Sequence, residues 1–171
     1  MSKLLMMVIL LAIPLGFSAC DTVYMATMDT IGYDKRDILS SRVESARDAQ
    51  EDTKKDIQST LEQFGKVVGY QGGDLEASYK KLSSKLESSE DSAETVRKRI
   101  RDVESVADAL FSEWKTELGQ YSSADLRRKS EAKLSQTKTR YKDMLSAMNR
   151  AEQRIDPVLN PLRDQVALPE T

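Results

Sequence analysis

The chain has 171 residues, 32% of them charged and 6% aromatic, with 26 basic and 28 acidic side chains and a formal net charge of −2. That length makes a single domain the expectation, and a composition rich in Ala, Glu, Lys, Leu and Arg leans toward long helices and coiled coil. With charge so nearly balanced there is no basic face for phosphates, so no nucleic-acid partner is expected. Histidine is absent and cysteine occurs once, which excludes an internal disulfide and leaves no imidazole for acid–base work.

At the amino terminus Lys3 precedes an apolar run over residues 4–15. The run falls short of the roughly 20 residues that span a bilayer and has the length and flanks of a signal peptide. Gly16-Phe17-Ser18-Ala19-Cys20 resembles a lipobox, the bacterial motif in which small residues let the extended chain enter a cleavage site and the next cysteine is acylated. Phe17 stands where that motif usually has Leu. Cleavage after Ala19 and lipidation of Cys20, palmitate included, are therefore expected, with a signal peptide over 1–19 and a lipidated tether over 20–32. The plainer alternatives are an ordinary signal peptide that leaves a free Cys20, and a retained transmembrane anchor. Asp21 resembles the sorting signal that keeps lipoproteins of enteric-type bacteria in the inner membrane, which favours that membrane over the outer one. The expected location is the cell envelope facing the periplasm, with each buried CH₂ of the lipid contributing about 0.8 kcal/mol to anchoring.

Residues 33–168 read as one elongated helical coiled-coil domain, with a tail at 169–171. A first helix is expected from Asp34, a capping side chain. Leu39, Val43, Ala46, Gln50, Thr53, Ile57, Thr60, Phe64 and Val67 then recur at alternating steps of four and three, the heptad seam of a left-handed coiled coil. Gly69-Tyr70-Gln71-Gly72-Gly73 is a stop and turn. Asp74 caps a second helix whose seam runs from Leu75 and Tyr79 through Leu82, Leu86, Ser89, Ala93, Val96, Ile100, Val103, Ala107 and Leu110 to Trp114. At about 1.5 Å per residue it extends ~66 Å before Gly119 ends it. Ser122 with Asp125 resembles a capping box. The third helix carries Leu134, Tyr141, Leu145, Met148, Ala151 and Ile155. Asp156-Pro157 and Asn160-Pro161 each read as a cap followed by a first-turn proline, so a break or kink is expected there.

Short loops make neighbouring helices antiparallel. The predicted fold is all-α: a long antiparallel helical hairpin plus a third helix, forming a coiled-coil three-helix bundle. Folding at 69–73 brings Gln50 and Thr53 near Ser89 and Ala93, a polar waist that Leu145, Met148 and Ala151 of the third helix would fill. The segment beyond Pro157 would run toward the 69–73 turn.

Chemistry is sparse. The glycine-rich turn lacks the Lys-Ser/Thr ending of a phosphate-binding loop and follows no strand, so no nucleotide is expected. Carboxylates are interleaved with Lys and Arg, and none has metal-ligand spacing, so neither metal, cofactor nor enzymatic activity is expected. Tyr70 either packs over the helix ends or offers an exposed anchor to a partner. Trp114 reads as core near the second turn. The basic clusters at 97–101 and 127–129 read as solvated faces, with the second also a candidate for anionic lipid head groups.

Several blocks resemble an uncharacterised family of bacterial periplasmic lipoproteins, known only as a domain of unknown function and sometimes mislabelled as DNA-repair ATPases. They are Gly32-Tyr33-Asp34-Lys35-Arg36, Arg47-Asp48-Ala49-Gln50-Glu51-Asp52, Gly72-Gly73-Asp74-Leu75, Ala109-Leu110-Phe111-Ser112-Glu113-Trp114 and Leu162-Arg163-Asp164-Gln165-Val166. The resemblance implies an all-helical periplasmic lipoprotein and brings no activity or site residues with it. Relatives continue past Asp-Gln-Val into a further helical stretch, where this chain departs from their pattern. The expectation for function is a membrane-anchored, non-catalytic scaffold or interaction module of the envelope, reaching the membrane through its lipid and engaging a protein partner or a second copy through the coiled coil. The alternative is a lipid- or stress-responsive protein whose bundle opens on membranes at its polar waist.

Overall fold

A computed structural model describes residues 35–167. The elements there are α1 (Lys35–Val68), α2 (Leu75–Leu118), α3 (Ala124–Glu152) and α4 (Asp156–Ala167), with no strand among the described residues. Cys20, Ala19, Asp21 and the 169–171 tail lie outside them.

The helices start and stop where local chemistry dictates. The Asp74 carboxylate accepts the Ala77 N–H at 2.8 Å, capping α2. The cap of α3 is Ser123, whose hydroxyl accepts from the Leu126 N–H, and not the expected Ser122. Asp125 then sits in the first turn, where it pairs with Arg128 and Lys129 instead of closing a capping box. In the α1–α2 turn Gly72 and Gly73 have φ of 125° and 122°, a region that side chains with a Cβ rarely adopt.

The first two helices form the expected antiparallel hairpin, and three interhelical contacts set its register. The Thr53 hydroxyl donates toward the carbonyls of Ala49 (2.8 Å) on its own helix and Ser92 (3.1 Å) on α2. Thr60, fully buried, reaches the Lys85 carbonyl at 2.9 Å and the Ser89 hydroxyl at 2.8 Å. Gln63, 4% exposed, donates to the Ser78 carbonyl at 3.2 Å. Every buried side-chain nitrogen and oxygen among the described residues has a partner. The polar waist is thus a longer seam than the sequence pattern placed, and Ser89 pairs with Thr60 instead of meeting Gln50.

Every expected α2 seam residue from Leu82 to Trp114 is buried, and Val106 and Phe111 join them. The buried stripe widens there because α2 is packed by α1 on one side and α3 on the other. Ala107, Phe111, Trp114 and Leu134 form a cluster beside the second turn. Its polar and aromatic edges are also met. The Trp114 Nε1–H donates to Ser130 Oγ at 2.9 Å, and Phe111 meets Tyr141 edge-on at 5.4 Å.

The expected third helix is delivered in two pieces. α3 buries only Leu134 and Met148, while Ala151 is exposed. The break falls at 153–155, just before Asp156-Pro157. At Asn160-Pro161 there is none, and α4 runs through Pro161. α4 continues toward the 69–73 turn, as expected. There the Tyr79 hydroxyl donates to the Val166 carbonyl, and Leu159 and Leu162 join the main core with Leu86 and Val96.

Two measurements check this packing. Thr60→Val is expected to cost about 1–2 kcal/mol in denaturant unfolding, because an interhelical hydrogen bond is lost inside the core. The exposed Thr95→Val, whose hydroxyl bonds only Asp91 of its own helix, is expected to change stability by less than about 0.5 kcal/mol. Burial, aided by Glu104 and Asp108, pushes the Tyr141 phenol from 10.0 up to about 12. Folding favours the neutral phenol, so its contribution is present below pH 10.0 and is lost as pH rises through about 12. Alkaline absorbance titration is expected to show one late tyrosine phase that Tyr141→Phe removes.

Candidate functional site

The third layer covers the hairpin unevenly. α4 is fastened to α2 by its buried leucines and by ion pairs, and these leave a space on the α1 side. Arg97 on α2 donates Nε–H to Glu152 and a terminal N–H to Asp156, both at 2.7 Å, clasping the two sides of the α3–α4 joint. The Glu152 carboxylate, with Asp156 helping and against the pull of desolvation, holds the Arg97 guanidinium above its ordinary value. Arg163 on α4 pairs with Glu90 on α2 at 2.7 Å. Toward α1, the joint is tied more lightly, through Gln50 Nε2–H donating to the Met148 carbonyl at 3.2 Å.

The result is a groove of about 650 Å³ between α1 and the α3–α4 joint. Ile57, Ala151 and Ile155 give it apolar lining, and Arg47, Glu51, Lys54 and Arg154 supply charge. Lys54 is paired with Glu51 at 3.7 Å. An apolar trough edged with charge is the shape that accepts an amphipathic helix. Beyond Ile57 the same flank of α1 continues uncovered toward the 69–73 turn. Leu61 is 44% exposed, Val68 is 70% exposed, and a Cβ built on Gly65 would meet nothing within 4 Å.

A second groove, of about 480 Å³, lies between α1 and α2 and is polar, with Asp48, Asp52, Asp91 and Arg99 among its lining. Among the described residues no group of three or more His, Cys, Asp or Glu is placed to hold a metal ion. Also among them, no helix is long and apolar enough to cross a membrane.

Of the residues singled out from sequence, Tyr70 is both packed and presented. Its hydroxyl donates to the Gly73 carbonyl, bracing the turn, while 37% of the residue stays exposed. Trp114 is buried, with the Arg36 guanidinium 4.9 Å from its ring centroid. The basic clusters are largely spoken for. Arg99 pairs with Asp102 and Arg101 with Glu94, while Arg128 and Lys129 share Asp125 and hold its carboxyl below its ordinary value. Arg127 donates to the Tyr121 carbonyl. The groove and its extension escaped the heptad reading. The available signal was Gly65, a lone glycine within a helical pattern.

A family model described as "Protein of unknown function (DUF2959)" matches residues 24–168. No curated protein and no solved structure matches the chain.

Arg97→Met removes the clasp while keeping the aliphatic stem. Hydrogen exchange over α4 is expected to accelerate at least about tenfold, since charged hydrogen bonds of this kind contribute roughly 1.5–3 kcal/mol. Exchange in the Thr53–Thr60 stretch of α1 is expected to stay unchanged. Equal acceleration in both helices would show that α4 is not separately latched.

Proposed function

We propose that this chain, which belongs to the DUF2959 family of proteins of unknown function, is a membrane-anchored periplasmic lipoprotein that serves as a non-catalytic scaffold or interaction module of the cell envelope. One observation carries the interaction reading: a flank of α1 that exposes Leu61 and Val68 continues out of the groove that Ile57 lines, in a bundle whose buried polar groups among the described residues are satisfied. Exposed apolar surface of that kind, set in a row along a helix, is characteristic of contact sites.

The anchoring half of the reading rests on the lipobox-like Ser18-Ala19-Cys20 and the apolar run before it. Lipid at Cys20 would fix the chain to the bilayer ahead of α1. Within the bundle, α1 separates Lys35 from the 69–73 turn by some 50 Å, at about 1.5 Å per residue. Asp21 favours retention at the inner membrane. Length and exposed flank together suit a module that meets protein partners.

The alternative reading, a lipid- or stress-responsive protein whose bundle opens on membranes, is best served by α4. Loss of the Arg97 and Arg163 pairs would release a short helix and bare Leu159 and Leu162. The hydroxyl seam is a poor place for opening to begin, because its groups are bonded across both helices.

The chain expressed in a bacterial host with an alkyne analogue of palmitate is expected to take up label and to fractionate with membranes. Cys20→Ala is expected to lose the label and the membrane association together. Unlabelled wild-type chain recovered from the soluble fraction would overturn the anchoring reading. A photo-crosslinker at Gln58 is expected to give discrete protein adducts in cells, and one at Lys98 on α2 none. Adducts of equal yield from both positions would overturn the assignment of the contact to this flank.

A further inference from the structure

A basic face runs along the first half of α3. Between Gly119 and Lys142 the chain carries seven Lys and Arg against two carboxylates, while the other described residues carry 18 basic and 22 acidic side chains. The near-balanced total of the chain hid this concentration, so the expected lack of a basic face does not hold here. All seven cations are exposed. Helical spacing sets Lys129, Lys133 and Arg140 on one side of the outward face and Arg127, Lys138 and Lys142 on the other. The crown between the two rows is made of the short, exposed Ala132, Ser135 and Thr139, so the longer cationic arms reach past it. Arg128 and Lys129 share Asp125, but Lys133, Lys138, Arg140 and Lys142 have no ion-pair partner among the described residues. Lys138 lies 5.4 Å from the ring centroid of Phe111 on α2, with its charge unmatched by a carboxylate. Leu126, 54% exposed, adds an apolar tip at the end nearest the 119–123 turn.

This face lies at the end where the chain enters the bundle. Lys35 Nζ donates to Glu113 at 3.1 Å and the Arg36 guanidinium sits over Trp114, whose Nε1–H donates to Ser130 inside the basic stretch. The 14 residues between Cys20 and Lys35 reach at most about 50 Å when fully extended. From this placement we propose that the outward face of α3, from Leu126 to Lys142, rests on anionic phospholipid head groups and lays the base of the bundle against the bilayer. The proposal rests on the anchoring half of the reading above: lipid at Cys20 retains the chain, and the basic face orients it. A lipid surface suits this face better than a folded acidic partner does. Neither groove includes any of these residues, so the face offers charge without a socket. Cations on flexible stems, fanned over a convex helix, need only diffuse negative charge opposite them, and an exposed leucine beside them can enter the head-group layer.

The whole chain, purified in detergent and reconstituted into vesicles, tests this with a photo-crosslinker at Ala132 on the crown and another at Lys98 on α2. Flotation scores retention, and phospholipid adducts score orientation. In phosphatidylcholine vesicles holding about 30% phosphatidylglycerol, the Ala132 position is expected to give phospholipid adducts and the Lys98 position none. Pure phosphatidylcholine, high salt, or the Lys129→Glu/Lys133→Glu/Arg140→Glu variant is each expected to cut the yield at least about tenfold, with helical circular dichroism unchanged. A chain that floats with both vesicles yet gives no phospholipid adduct from Ala132 overturns the proposal and spares the anchor. A chain that floats only with the anionic vesicles, and is released by salt, overturns the anchor and keeps the face. Adducts indifferent to salt or to the triple variant overturn the proposal. So does a discrete protein adduct from Ala132 in cells, which would assign the face to an acidic protein.

Discussion

The rest of the structure depends on a pair of threonine hydroxyls that hold α1 against α2. Thr53 and Thr60, two turns apart, each reach a backbone carbonyl on the opposite helix, at Ser92 and Lys85. A hydroxyl on so short a stem makes that reach only when the helix backbones are close. The facing residues are correspondingly small, with Ser89 and Ala93 both buried. These bonds also fix the register. Sliding α1 by a few residues would bring the hydroxyls against Leu82, Leu86 or Val96, where a buried polar group without a partner costs roughly 1–3 kcal/mol. Apolar packing alone is more forgiving of such slips, because a heptad seam nearly repeats itself every two turns.

α2 then becomes the spine against which everything else is packed. α3 is a mostly polar helix and is held at separated points: Trp114 to Ser130 and Phe111 to Tyr141 near one end, Gln50 to the Met148 carbonyl near the other. α4 is fastened by Arg97, Arg163 and Tyr79, all reaching from or to α2. Since α1 is already engaged by its own hydroxyl seam, no comparable set of contacts draws α4 toward it. The groove and the open flank are the geometric remainder of that asymmetry.

Most of this architecture could be read from the order of residues. Heptad spacing located all three long helices, and strict spacing in α2 marked its seam from Leu82 to Trp114 without error. The glycine turn and the Asp74 cap were legible because their chemistry is local. Errors arose where two partners compete for one helix. In α1 the seam residues Ile57 and Phe64 are only partly buried, while Ile38 and Gln63, one position away from the pattern, are buried. A heptad describes contact with one neighbour and cannot apportion a stripe between two. Pro161 misled for a different reason: at the sixth position of α4 it forgoes only the single bond its N–H would make to the Pro157 carbonyl, and the helix continues through it. The candidate contact flank was illegible because exposure depends on where α4 lies, and α4 is placed by Arg97 and Arg163 across more than 50 residues of chain.

A ribosome delivers α1 before any of its partners exists. Until α2 has followed, the face that α1 will bury stands bare in water. On most helices that face would be a strip of leucine and isoleucine, prone to stick to whatever lies near. Here the buried residues of its second half are Thr53, Thr60 and Gln63, side chains that water solvates well. The hydroxyl seam that locks the finished hairpin therefore also makes the waiting helix quiet, and the same atoms serve as solvent-facing groups first and as interhelical ties afterward. The 69–73 turn joins the two helices by a short loop, so the contacts nearest it close at little entropic cost.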